Sequence, residues 1–239
     1  MNEAPKKRIE LIDGLRGLAV TLMVIHHLLY NLVEFLGAPS WFFSNPVFDF
    51  LHYVFAGLFI LLSGISSRFS RGNVERGAIA IVLSVLITYV TYRMEMPIWF
   101  GVLHLLGLSM LLFGLTQKLW DLIPRKAAPV IYITLIILSA LATARVDLIS
   151  ENVWLRDVLS ILGWPQPGFG SYDYFPIFPW IFVFLLGTWV GIYIADRRLP
   201  GWFYEVKPPV FPKIGRKALL IYILHQPVLY AIVLLIANI

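Results

Sequence analysis

Six side chains that hydrocarbon should reject stand in one long apolar run near the start of the chain. From Asp13 to Glu34 the sequence is DGLRGLAVTLMVIHHLLYNLVE, carrying Asp13, Arg16, His26, His27, Asn31 and Glu34. On an α-helix Arg16 and His27 return to within about 20° of one face, roughly 16 Å apart along the axis. Asn31 and Glu34 follow His27 at i+4 and i+7 and extend that stripe. Asp13 precedes Arg16 at the i, i+3 spacing of an intrahelical ion pair. A polar stripe of this kind is costly in a membrane unless it faces partners or water inside a bundle, so it marks a candidate site. Two chemistries suit the residue types. Histidine with a neighbouring carboxylate, here Glu34 or Asp49, suits general-base work near neutral pH. A guanidinium inside an apolar run suits bidentate capture of phosphate, or pairing with Asp13.

The elements that position these groups follow from composition. With 239 residues, 59% of them hydrophobic, and a mean hydropathy of +0.79, the chain is expected to be an all-α, polytopic membrane helix bundle. Seven spans are expected, at about 11–36, 46–66, 77–93, 97–117, 127–145, 174–195 and 215–238, within one integral-membrane domain covering 1–239. Lys6, Lys7 and Arg8 before the first span place the N-terminus in the cytoplasm. Arg68, Arg71, Arg76, Lys118, Arg125, Lys126, Arg197, Arg198, Lys207, Lys213, Arg216 and Lys217 then share that side, against only Arg93, Arg145 and Arg156 outside. This is the positive-inside asymmetry. The net charge of +5 is thereby spent on membrane orientation, not on nucleic acid. Asp13 and Arg16 interrupt the first run and no small-residue cleavage site follows, so it is kept as a mature helix, not a signal peptide. Absence of cysteine excludes disulfides and cysteine-based metal or redox sites.

All five histidines fall in expected spans, and His27, His52 and His104 map to the outer half. A single membrane histidine is more often an interhelical hydrogen-bonder than a catalyst; three at similar depth favour a site. Zinc is the competing use of such a cluster. No pair within one helix has metal-motif spacing, so no metal is expected. Ser63, Gly64, Ser66 and Ser67 suit close helix packing, or the approach of an anion beside Arg68 and Arg71. Residues 152–162 have helical apolar spacing and stop at Gly163, predicting a short amphipathic surface helix. After it, WPQPGFGSYDYFPIFPW is a non-helical rim or lid carrying Tyr172, Asp173 and Tyr174, or else an interfacial aromatic belt. His225 and Gln226 precede Pro227 near mid-membrane, where the proline is expected to kink the last span.

The segments RIELIDGLRGLAVTLMVIHH, FILLSGISSRFSR, FGVLHLLGLSMLL, YFPIFPWIFVFLLG and IGRKALLIYILHQPVL resemble the bacterial branch of the heparan-alpha-glucosaminide N-acetyltransferase catalytic-domain family. The resemblance runs from Arg8 to about Val228. The arginine, ten residues and histidine from Arg16 to His27 are similar to a signature of the broader integral-membrane acyltransferase superfamily. The sequence departs from the family's lysosomal members, which carry asparagine where His27 stands and a catalytic histidine in the loop before the second span.

The resemblance implies transfer of an acetyl or similar acyl group from cytoplasmic acyl-CoA, with acetyl-CoA as donor, to an amino-sugar or other glycan acceptor on the outer side of a bacterial cytoplasmic membrane. On this reading the catalytic set is His27, Glu34, Asp49 and His104, with His27 as general base or transient acyl carrier. Arg16, Arg68, Arg71 and Arg216 hold donor phosphates. His26, Asn31, His52, Tyr172, Asp173 and Tyr174 line the acceptor end, while Asp13, Ser63, Ser66, His225 and Gln226 are structural polar groups. The partners are the lipid bilayer, acyl-CoA and the acceptor, with a homodimer left open. A proton-coupled transporter or flippase and a non-catalytic membrane subunit are the rival readings.

Overall fold

A computed structural model describes residues 8–146 and 148–237. The described residues form ten α-helices and one 3-10 turn, with no strand: α1 Glu10–Leu36, α2 Pro46–Phe69, α3 Asn73–Arg93, α4 Val102–Trp120, α5 Ala128–Arg145, α6 Val153–Leu162, α7 Ile177–Ala195, α8 Gly201–Glu205, α9 Phe211–Gly215 and α10 Ala218–Ala237. Seven of them, α1–α5, α7 and α10, are long and apolar enough to cross a membrane. The chain is a multi-pass, all-helical membrane protein. Helix is the form such sequences must take, because each backbone N–H and C=O then finds its partner within its own segment.

Span boundaries move where polar side chains intervene. α2 runs on to Phe69 because the Asn73 amide Nδ2 donates to the carbonyls of Ser67 (2.7 Å) and Ser70 (3.2 Å) and closes its last turn. α4 begins only at Val102, since the preceding residues are engaged with the long connection before α7. Tyr172 N–H donates to Pro97 O at 3.1 Å and Phe175 N–H to Phe100 O at 2.8 Å. Trp99 N–H donates to Ser171 Oγ at 3.1 Å. α6 matches the expected amphipathic helix: Asn152 Oδ1 accepts from Leu155 N–H at 3.2 Å at its start, and Gly163, at φ 131°, ends it. α10 continues as one helix through Pro227. Proline cannot donate to the carbonyl four residues back, so Ile223 O lacks its helical partner.

The chain divides into two compact units, Met1–Leu62 with Leu199–Ile239, and Ser63–Arg198. In the first unit α1 is the central element, lying against α8, α9 and α10. Its closest approach is backbone to backbone. A Cβ on Gly17 would collide with the Phe211 carbonyl, and one on Gly215 with the Asp13 carbonyl, so α1 and α9 touch through two glycines. In the second unit α3 packs on α4 and α5 on α7, around a core that includes the buried Leu105, Phe113, Phe184 and Leu185. Large apolar side chains such as Val82, Leu115 and Val130 remain exposed, as the lipid-facing surface of a membrane helix requires.

Candidate functional site

The first unit gathers charge at one end of α1. Arg16 donates to Asp13 Oδ1 at 3.0 Å, with the two side chains 19% and 14% exposed, so the i, i+3 pair expected from sequence forms. The Gly17–Gly215 contact holds this turn of α1 against α9, whose Lys213 and following Arg216 are exposed. Arg216 Nε donates to Pro212 O at 3.2 Å, which keeps its guanidinium beside the helix junction. Arg16 and Arg216 therefore each stand next to one of the two touching glycines.

Further along α1, four imidazoles run in a line across three helices. His52 Nδ1 on α2 and His26 Nε2 on α1 share a hydrogen bond of 2.8 Å, with ring centroids 4.4 Å apart. His26 meets His27 edge-on at 5.8 Å, and His27 meets His225 of α10 at 5.0 Å. One turn beyond His27, Asn31 is fully buried, and its Oδ1 accepts from Gln226 Nε2 at 3.1 Å. His225 Nδ1 donates to Tyr222 O at 2.7 Å. A carbonyl can only accept, so this bond puts the proton of the neutral ring on Nδ1 and leaves Nε2 with the lone pair. Three atoms of this group, Asn31 Nδ2, Gln226 Oε1 and His225 Nε2, are buried without a hydrogen-bond partner.

The structure thus unites His26, His27, Asn31 and His52 with His225 and Gln226, the last two read from sequence only as structural. Pattern alone could have flagged them: a histidine and an amide before a helix-interior proline stand in an otherwise apolar span. The carboxylates are placed differently. Glu34, in the last turn of α1, and Asp49, in the first turn of α2, are both exposed.

The remaining expected site residues belong to the second unit. Arg68 donates to Asp121 Oδ1 at 2.6 Å, its side chain 13% exposed, while Arg71 is exposed. Ser63 O accepts from Ser67 Oγ at 2.9 Å, and Ser66 is partly buried. Both ring nitrogens of His104 are occupied. Nδ1 accepts from Gly101 N–H at 3.2 Å, so Nε2 carries the proton and donates to Thr88 Oγ1 at 3.1 Å. Asp173 Oδ2 accepts from Val102 N–H at 3.1 Å and caps α4. Tyr174 Oη donates to Ser160 O at 2.5 Å, and Tyr172 is exposed. A cavity of about 180 Å³ opens beside Arg68, bounded by Trp120, Asp121, Arg125, Tyr132 and Trp189. No sequence pattern announces it, because its walls come from the ends of four helices. Among the described residues, no three His, Cys, Asp or Glu side chains are grouped so as to hold a metal ion.

The half-buried line of four imidazoles and the arginines beside the α1–α9 contact all lie within a segment that matches a known family. The family model described as heparan-alpha-glucosaminide N-acetyltransferase, catalytic, matches residues 8–227. The chain belongs to that family. The match runs from the residues before α1 to Pro227 and so takes in every member of the α1–α10 polar cluster. Membership makes the chain a membrane acetyltransferase by class, in a family that in general uses acetyl-CoA as donor. No curated protein and no solved structure matches it.

Proposed function

We propose that the protein transfers an acetyl group from cytoplasmic acetyl-CoA to an amino-sugar or other glycan acceptor on the opposite side of a bacterial cytoplasmic membrane, at a site built on α1. The observation that carries this reading is the line His52–His26–His27–His225, centred on the helix whose other end carries Arg16 and meets the α9 junction with Lys213 and Arg216. Arg16 and Arg216 hold the donor's phosphates, for which guanidinium is the matched partner. His27, roughly 16 Å along the helix, acts at the reacting end as general base toward the acceptor or as transient acyl carrier. His26 and His52 face the acceptor. The N-terminus then lies in the cytoplasm, where acetyl-CoA is supplied.

A linked row of imidazoles also suits proton relay in a transporter, and one experiment separates the two. Purified protein in nanodiscs is given radiolabelled acetyl-CoA with and without amino-sugar acceptors, and wild type is compared with His27→Ala and Arg16→Ala. The acetyltransferase reading expects kcat to fall about 10²–10⁴-fold in His27→Ala. It expects KM for acetyl-CoA to rise in Arg16→Ala with a smaller change in kcat. Wild-type protein that neither binds nor consumes acyl-CoA overturns it.

A further inference from the structure

Buried polar atoms in a folded chain nearly always have a hydrogen-bond partner, so those without one point to something the isolated chain does not supply. Six side-chain atoms among the described residues are in this state, and three of them lie together where α1 meets α10. They are a donor, Asn31 Nδ2, and two acceptors, Gln226 Oε1 and His225 Nε2. Each is oriented by a neighbour. Gln226 Nε2 donates to Asn31 Oδ1 at 3.1 Å, which turns the remaining Asn31 N–H groups away from the pair. Tyr222 O holds His225 Nδ1–H at 2.7 Å, which turns the lone pair of Nε2 outward. Asn31 follows His27 by one helical turn, and the His27 ring lies 5.0 Å from that of His225. Donor and acceptors therefore share the α1–α10 seam with the imidazole assigned to the reaction.

Within this group a donor, Asn31 Nδ2, and an acceptor, His225 Nε2, beside a histidine match the hydrogen-bonding needs of aminolysis at a thioester. The carbonyl oxygen gains negative charge and needs a donor. A neutral primary amine brings two N–H groups, one that must be lost and one that must be held. Resting on the acetyltransferase reading above, we infer that Asn31 is the donor to the acyl oxygen in the transition state, that Gln226 positions it, and that His225 Nε2 holds the N–H the acceptor amine retains. The amine nitrogen attacks the thioester carbon, and His27 takes one of its protons. The carbonyl π electrons move onto oxygen, where Asn31 Nδ2–H receives them. The C–O double bond then re-forms, the C–S bond breaks with its electron pair on sulfur, and the proton on His27 passes to that sulfur. The products are the amide and free CoA thiol. A hydroxyl acceptor has a single hydrogen, which goes to His27 and leaves His225 Nε2 unpaired, so the site selects amines over alcohols.

The test uses the full chain in nanodiscs with acetyl-CoA, glucosamine as amine acceptor and glucose as its hydroxyl counterpart. Asn31→Ala is expected to lower kcat about 10²–10³-fold, as loss of one such donor does, with binding of a non-reactive CoA thioether unchanged. Asn31→Asp keeps the shape and removes the donor, so it serves where the alanine variant does not fold; the same loss of kcat is expected. Gln226→Glu sets a carboxylate against Asn31 Oδ1, turns the amide round and is expected to reproduce the loss. His225→Leu is expected to raise KM for glucosamine and narrow the glucosamine-to-glucose preference. Wild-type kcat in Asn31→Asp and Gln226→Glu, with wild-type protein active, overturns this inference alone. Wild-type protein that consumes no acetyl-CoA overturns the acetyltransferase reading and this inference with it.

Discussion

Gly17→Ala sets two opposed effects of known size against each other. In a helix interior alanine is favoured over glycine by about 0.8–1.0 kcal/mol, so on local grounds the variant should be more stable. The contact with α9 acts the other way. The new Cβ would sit 2.8 Å from the Phe211 carbonyl carbon and 2.9 Å from Gly215 N, and closer still to the Phe211 oxygen. Non-bonded heavy atoms prefer separations of about 3.5–4.0 Å, so α9 must withdraw by roughly 1 Å. The neighbours are backbone atoms and no side-chain rotation relieves them. Overpacking of this kind costs about 1–3 kcal/mol. The net expectation is a loss of about 1 kcal/mol, or a fall in Tm of about 2–4 °C for a chain of this size. Activity should suffer more than stability. Arg216 follows Gly215 directly, and a displacement of about 1 Å at a positioning group can cost roughly 10²-fold in rate. Thermal unfolding in detergent, followed by tryptophan fluorescence, reads the first quantity and acetyl transfer the second. Gly201→Ala is the control: its Cβ would meet only the Glu205 carboxylate, at 3.9 Å, and it should match wild type. A Gly17→Ala protein as stable as wild type, or more so, would refute the closed α1–α9 contact and the placement of Arg216 that depends on it.

Other outcomes follow from single contacts. Asp173→Ala removes the acceptor for Val102 N–H at the start of α4 and should cost about 1 kcal/mol, whereas Asp173→Asn keeps an acceptor and should cost less; equal unfolding midpoints for all three proteins would argue against the cap. Arg68→Gln and Asp121→Asn break one pair whose members are 13% and 41% exposed. Each should lose about 1 kcal/mol or less, and a double-mutant cycle should find the two losses non-additive. The chain has no cysteine, so single cysteines report membrane sidedness directly. A cysteine at Lys118 should react with an impermeant maleimide only from the cytoplasmic side, and one at Glu151 only from outside; the reverse pattern would overturn the cytoplasmic N-terminus.

What was legible in the sequence is what neighbours in the chain decide. Length and apolarity of each run set the seven candidate spans, because a membrane helix satisfies its backbone within itself. Asp13 and Arg16 are three residues apart and pair as that spacing requires. Asn152 and Gly163 bound α6 by capping, again a local matter. Helical periodicity also set Arg16, His27 and Asn31 near one face of α1, but a period names a face and not the neighbour it meets. Only the tertiary structure decided that His26 bonds to His52, that His27 meets His225, and that Asn31 is held by a glutamine 195 residues away. The same holds for Arg68, which found Asp121, and for His104, which found the start of its own helix and Thr88. These partners are fixed by how helices remote in sequence pack, and at α1 and α9 that turned on two glycines small enough to let the backbones touch.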